Sequence, residues 1–504
     1  MDKKDLYRAI GDLEEETLNI KPRRRYGRWV GSIAALLVLA VGIGWYLKPV
    51  PREPVLLQAA EPQPAAAPAP TVTESPAETL PAQEPQSGPV SLASPAYPQM
   101  PDYPQTSHGM PESQDAFDAW QASVLAQTRD SAYVKDLAPF FRRSMATFLS
   151  GDTQTNQLCS PANIYMALSM LAEITDGDTR QEILNLLNVD SLEALRQQAG
   201  DLWNAQYQND KATYMILANS MWLNDALHLN RPTLENLSQY YYAASFAGTP
   251  GSAQMDQALQ NWINEQTGGL LENQAKDLHL DPNTVIALAS TLRYQAKWTA
   301  PFHADRTVPD TFHSPNGPET VDFLRQDLTS THYWGDRFDA VPLNLQNGGG
   351  TMWLVLPREG TGVQELLEDP GLYEFLEDPQ LGRQENAVIH LSMPRFDVVS
   401  DLDLSDGLQA LGIEKAFTPE ADFTPLLDPA HPDGLHPSLT QCSHAVRVAV
   451  DEEGITAAAY TEMGMTYLSA PPAKEVDFIL DRPFLFVIQS KDHLPLFAGV
   501  VNHP

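Results

Sequence analysis

The chain has 504 residues, a length that as a prior allows two to four domains, and 32 Lys+Arg against 65 Asp+Glu give a formal net charge of −33. That balance excludes a nucleic-acid binder, which needs basic residues to displace counterions from phosphates. Two cysteines exclude a disulfide-built scaffold and a Cys-rich zinc protein.

Residues 1–28 hold eight basic and six acidic residues, and residues 29–47 (WVGSIAALLVLAVGIGWYL) hold no charge. As a helix those 19 residues would span roughly 28 Å, about the thickness of a bilayer's hydrocarbon core. Trp29, Trp45 and Tyr46 stand at its ends, where interfacial aromatics belong. Lys21, Arg23, Arg24, Arg25 and Arg28 crowd its N-terminal flank, and only Lys48 and Arg52 follow closely. The expectation is a cytoplasmic tail at 1–28, a transmembrane helix at 29–48, and everything later outside a cell membrane crossed once. A cleaved signal peptide is the rival reading, disfavoured by the full-length apolar run. Residues 51–111 contain 15 prolines. Lacking amide hydrogens at those positions, the stretch 49–114 is expected to be an extended spacer with no partner of its own.

From 115 to 504 the chain reads as globular. Ser160-Pro161 is a capping residue with a first-turn proline, and Ile164, Ala167, Leu168 and Leu171 follow at helical spacing. Thr179 to Glu182 reads as a capping box opening a helix at Ile183. Thr351–Leu356, Val388–Met393, Ala445–Val450, Phe484–Ile488 and Leu496–Val501 are β-rich runs bounded by turns. Helices early and strands late predict an α+β class.

No catalytic motif is present: no GxSxG, HExxH, phosphate loop, or GxGxxG after a strand. The histidines lack ligand spacing. Nothing positive argues for an enzyme, so the chain reads as a non-enzyme with no metal and no cofactor, an enzyme of unrecognised class being the disfavoured alternative.

The informative stretch follows Val450: DEEGITAAAYTEMGMTYLSAPP. Taken at strand parity, Ile455, Ala457, Ala459, Thr461, Met463 and Met465 form a small or apolar face. Thr456, Ala458, Tyr460 and Glu462 form the other, with the only charge. This loop is written so that it could become a strand with one face buried and the other wet.

At this point the chain resembles a serpin over about residues 130–504. Glu452-Glu453-Gly454-Ile455-Thr456-Ala457-Ala458-Ala459 is similar to that family's hinge. Asn156–Asn188, Tyr294–Trp298, Leu391–Ala416, Arg482–Phe486 and Phe497–Pro504 resemble its other ordered motifs. With its anchor, the chain reads as a membrane-anchored bacterial member.

The resemblance implies a large central sheet, two further sheets, surrounding helices and an exposed reactive loop near the C-terminus. It also implies a mechanism: an extracellular serine protease cuts the loop, becomes acylated, and is dragged as the loop inserts into the central sheet. Counting from Gly454, the reactive bond falls at Leu468-Ser469, with Tyr467-Leu468 and Met465-Thr466 as alternatives. A Leu there suits a chymotrypsin-like or subtilisin-like protease. The hinge is Glu452 to Ala459 together with Thr461. The shutter maps onto Ser160, Asn163, Ser290 and His444, where Asn163 and Ser290 look exchanged relative to most members, an exchange that could keep a buried network to His444. Trp298 belongs to the breach and core. Cys159 and Cys442 flank the shutter, as free thiols or as a disulfide. A monomer is expected. The alternative function is a non-inhibitory binding or display protein whose loop is only a substrate.

Overall fold

The computed structural model describes residues 33–42, 88–104, 113–127, 132–151, 153–430, 437–455 and 474–504. In chain order these form β1 (Ile33–Gly42), β2 (Val90–Ala93), α1 (Gln114–Gln127), α2 (Ala132–Phe148), β3 (Gln157–Cys159) and α3 (Pro161–Glu173). Next come α4 (Gly177–Leu187), α5 (Leu192–Gln206), β4 (Gln208–Asn209), β5 (Tyr214–Asn224), α6 (Arg231–Tyr240) and β6 (Ala243–Gly248). The middle of the chain gives α7 (Ala253–Thr267), α8 (Glu272–Ala275), β7 (Thr284–Lys297), β8 (Val308–Ser314), β9 (Gly317–Trp334), β10 (Phe338–Asn344) and β11 (Thr351–Pro357). After α9 (Val363–Leu367) and α10 (Pro370–Glu377) come β12 (Arg383–Pro394), β13 (Phe396–Asp403) and α11 (Ser405–Ala410). Last are β14 (Ser438–Val450), β15 (Gly454–Ile455), β16 (Lys474–Ile479), β17 (Phe484–Gln489) and β18 (Pro495–Val501).

The first sheet runs β13-β14-β1-β7-β5-β6-β2, and the second runs β16-β12-β9-β10-β11-β17-β18-β3. Two smaller sheets were expected beside the central one. Among the described residues they are continuous, because the 18-residue β9 pairs with β12 along Phe323–Trp334 and touches β10 at Tyr333 and Trp334.

Helix α3 lies at the centre. Ser160 caps it, its side chain accepting from the Asn163 amide, and Pro161 occupies the first turn, as the sequence predicts. All 13 of its residues are buried. A helix buried on every side needs partners on every side, and α3 has them in α4, α5, β7 and β18. Helix α7 covers the opposite face of the first sheet, where Met255, Leu259 and Ile263 pack on Trp222, Ala287 and Ala289.

Three expectations need correction. The transmembrane helix is the largest. Residues 33–42 of the expected 29–48 span are a β-strand between β14 and β7, and the rest of that span lies outside the described residues. No helix among the described residues is long and apolar enough to cross a membrane. The physical reason is that an uncharged run of Ile, Ala, Leu and Val suits any dry environment. Between two strands every residue of β1 has a ladder partner on both sides, and Leu37, Val38 and Leu39 are buried.

Second, the Pro-rich spacer is not without partners throughout. β2 pairs with β6 at the sheet's edge, where proline-flanked strands are tolerated. Tyr97 packs its ring on Trp203, Tyr207 and Tyr242, and Tyr103 meets Trp120 edge-on at 4.8 Å. Third, α4 opens at Gly177 after Asp176, so Thr179 and Glu182 lie inside the helix and form no box. Glu182 instead accepts from the Glu414 and Lys415 amides, and the Thr179 hydroxyl accepts from the Asp422 amide. The five predicted β-runs fall in β11, β12, β14, β17 and β18; three match to within a residue at each end, while β12 begins five residues and β14 seven residues before the predicted start.

Candidate functional site

The hinge begins where β14 leaves the sheet. Asp451 turns the chain, its carboxylate accepting from the Glu453 and Gly454 amides at 2.9 and 3.2 Å. The carbonyls of the next two residues are held by the opposite wall: Phe302 N donates to Glu452 O at 2.8 Å and Trp298 N to Glu453 O at 3.1 Å. Trp298, 1% exposed, donates its indole N–H to Asp451 O at 3.0 Å. The breach residue expected from sequence is thus a template for the hinge backbone. The Glu452 carboxylate accepts from the Thr307 hydroxyl at 2.9 Å and lies 3.8 Å from Arg395. Thr307, Phe302 and Arg395 were missed in the sequence, since each stands far from the hinge along the chain with no local signature.

Gly454 and Ile455 then turn inward as β15, pairing antiparallel with Lys297 and Ala296 of β7. Only glycine fits at 454. Its φ is +152°, and a Cβ there would lie 2.6 Å from the Ala296 carbonyl oxygen and 2.7 Å from Lys297 Cα. Ile455 is fully buried in the main core, on the side that strand parity assigned to it. Thr456, Ala457, Ala458, Ala459, Thr461, Leu468 and Ser469 lie outside the described residues.

The four shutter residues come together around the start of α3, all fully buried. Ser160 N donates to His444 Nε2 at 3.0 Å, and the Ser160 hydroxyl donates to Leu496 O at 2.7 Å. An Nε2 that accepts an amide proton carries none, so this imidazole is neutral with its proton on Nδ1. Asn163 Nδ2 donates to the Ser290 carbonyl at 3.1 Å. The Ser290 hydroxyl donates to Asn219 Oδ1 at 2.7 Å, and Asn219 Nδ2 donates to Tyr241 O at 2.7 Å. The expected exchange of Asn and Ser therefore holds the cluster together, but by a different route. Leu37 of β1 stands between Ser290 and His444 in the ladder, and strands about 4.8 Å apart set those two residues roughly twice that distance from each other. Asn219 was not foreseen. Its signal was present: an Asn-Ser pair inside the apolar run YMILANSMWLN of β5.

Cys159 and Cys442 are free and buried, which closes the question of a disulfide. Burial pushes the Cys442 thiol up to about 12 and the Cys159 thiol higher. Neither is a nucleophile at neutral pH.

Comparison with known proteins completes the site. A family model described as serpin (serine protease inhibitor) matches residues 140–504. Serpin-Z1C of Triticum aestivum is 26% identical over 379 residues, covering 72% of this chain and 94% of the relative. Ipis-1 of Ixodes persulcatus is 26% identical over 367 residues, covering 70% and 93%. Among solved structures, the thermophilic serpin tengpin in its native state superposes with a TM-score of 0.65 at 22% identity, covering 75% of this chain and 95% of that one. Thyroxine-binding globulin in complex with thyroxine superposes at 0.62 and 20% identity, covering 74% and 99%. At such identities the structures establish the fold.

Proposed function

The chain belongs to the serpin family, and from that premise we propose that it inhibits serine proteases of apolar primary specificity by covalent trapping. The target cuts Leu468-Ser469, is held as an acyl-enzyme, and is displaced as the loop enters the first sheet beside β7. One observation carries this reading: the hinge is already started into the sheet, with Gly454 and Ile455 paired to β7 and Ile455 buried. The residues that must follow on that face, Ala457, Ala459, Thr461, Met463 and Met465, bring no charge with them, so the desolvation that would stall insertion is absent there. We place its action on the outer side of a cell membrane, on the charge asymmetry around residues 29–47, which anchors the chain only in a molecule whose residues 33–42 are out of the sheet.

The experiment is a gel. Chymotrypsin or subtilisin mixed with the full chain is expected to give a complex that survives SDS, and mass spectrometry to find a released fragment beginning at Ser469. Cleavage with no such complex would favour the second reading, a non-inhibitory protein whose loop is only a substrate. A specific observation supports that reading for the conformation described: the place the loop would enter is filled by β1.

A further inference from the structure

The hinge and β1 share one track. Both run antiparallel to β7, the hinge pairing with Lys297 and Ala296, and β1 taking over from Tyr294 down to Thr284. Only Gln295 separates the two registers, room for Thr456 and no more. Continued one for one, the loop would need the place of Ile33 for Ala457, of Ala35 for Ala459, of Leu37 for Thr461 and of Leu39 for Met463. Leu37 and Leu39 face the core that holds Ile455, which is the face strand parity gives to Thr461 and Met463. Strand β1 therefore has the direction, register and side-chain parity of the inserted loop.

We propose that residues 33–42 are an intramolecular ligand of the slot between β7 and β14, and that a molecule holding them there is cut as a substrate and does not trap. This rests on the inhibitory reading above. The fit is made on three sides. Every position of β1 from Ile33 to Gly42 has a ladder partner on both neighbours, with register shifts only at the lower end. Leu37 and Leu39 fill the core face, and Val38 fills the opposite face beneath α7 with Trp222, Met255 and Leu259. The occupant is also tethered. The segment 43–89 between β1 and β2 can extend to roughly 150 Å, while β2 lies four strands from β1, about 19 Å across the sheet. A tether that easily spans its sites gives an effective concentration of order millimolar. Trapping then requires β1 to leave, and the loop gains the slot only when it does.

The test uses a thiol already in place. The register sets Leu39 opposite Cys442, which is buried and free. In the full-length Leu39→Cys variant, prolonged oxidation with copper phenanthroline at alkaline pH is expected to join residues 39 and 442, since the partner thiol stands directly across the ladder where a bulky reagent from solvent does not reach. The N-terminal piece should then stay attached on a non-reducing gel after nicking within residues 51–87, and Cys442→Ser should abolish the link. Chymotrypsin is expected to cleave the oxidised variant with at least a tenfold lower yield of SDS-stable complex than full-length Leu37→Asp, in which a carboxylate weakens β1's hold on the core face. Absence of the 39–442 link, or equal trapping by the linked protein and Leu37→Asp, overturns the proposal. If the link forms but Leu37→Asp also fails to trap either chymotrypsin or subtilisin, the inhibitory reading falls and the occupancy of the slot stands.

Discussion

Removing the Asn219 side chain tests whether the shutter is held by the chain of bonds that the structure shows. Asn219, 1% exposed, accepts from the Ser290 hydroxyl and donates to the Tyr241 carbonyl, both at 2.7 Å. Asn219→Ala leaves both partners buried without that bond, and each orphaned group costs about 1–3 kcal/mol, so the variant should lose about 2–6 kcal/mol. Ser290→Ala orphans only the Asn219 oxygen, for about 1–3 kcal/mol. The double variant orphans only the Tyr241 carbonyl, and its cost returns to about 1–3 kcal/mol beyond the space left by the carboxamide. It should therefore be more stable than Asn219→Ala alone, although it carries one more substitution. With a urea m-value of about 3 kcal/mol per M, Asn219→Ala moves the midpoint down by about 0.7–2 M, and adding Ser290→Ala recovers part of that. Unfolding of a kinetically trapped fold is also read as a rate, so tryptophan-monitored unfolding in urea should rank the variants in the same order. Additive losses in the double variant would refute the pairing of Ser290 with Asn219.

Gly454→Val should expel the hinge from β7, since its Cβ would meet the Ala296 carbonyl oxygen at 2.6 Å and the backbone sits at φ +152°; a trapping stoichiometry unchanged from the parent would count against the paired hinge. Burial alone would raise the pKa of the Asp339 carboxyl, but bonds from His332 and Arg358 outweigh it and hold the group at about 2. A depressed carboxylate contributes its stability above the unfolded value and loses it as pH falls through the folded one, so about 1 kcal/mol, after discounting for screening at a half-open site, should vanish between about pH 4 and pH 2. Acid titration of Asp339→Asn by circular dichroism should show a correspondingly shallower loss in that window. Both thiols should resist a disulfide reagent at neutral pH in the folded protein and react together on unfolding in urea, because burial pushes Cys442 up to about 12 and Cys159 further; rapid labelling of Cys159 in the native protein would contradict its placement under the sheets.

What was legible in the sequence was local. Ser160-Pro161 announces the start of α3 because a capping hydroxyl and a first-turn proline act within one helical turn. Gly454 and Ile455 could be read because parity and backbone freedom travel with the residues themselves. The failures share a cause, which is competition from a tertiary partner. Glu182 has the spacing of a capping box, but the amides of Glu414 and Lys415, more than 230 positions away, take its carboxylate. Tyr97 and Tyr103 are the only aromatics among residues 51–111, and both dock that stretch on its neighbours. Composition averaged over the segment concealed them. The run at 29–47 failed differently: apolarity without a period fits a bilayer helix and a strand buried on both faces equally well. Only the slot between β7 and β14, built by residues about 250 and 400 positions later, distinguishes them.

The two candidates for that slot are matched on one face and mismatched on the other. On the core face, Leu37 and Leu39 stand where Thr461 and Met463 would come, and neither pair carries a charge. The opposite face is not wet along its whole length, as strand parity alone would suggest. At Val38, 1% exposed, it is closed by α7 and Trp222. The loop residue that the register brings to this level is Glu462. A carboxylate entering there must shed its water beneath an apolar helix face, at a cost of several kcal/mol if it stays charged and unpaired, whereas Val38 carries no such penalty. An intact loop, pinned at both ends, therefore has little to set against the resident strand. On the trapping mechanism proposed above, cleavage would free one end of the loop, and the ladder it could then form with β7 and β14 would outweigh a single buried carboxylate only once β1 is gone. On this argument β1 and Glu462 oppose the same proposed step, one by occupying the slot and the other by raising the cost of entry, so that entry needs both a cut loop and the departure of β1.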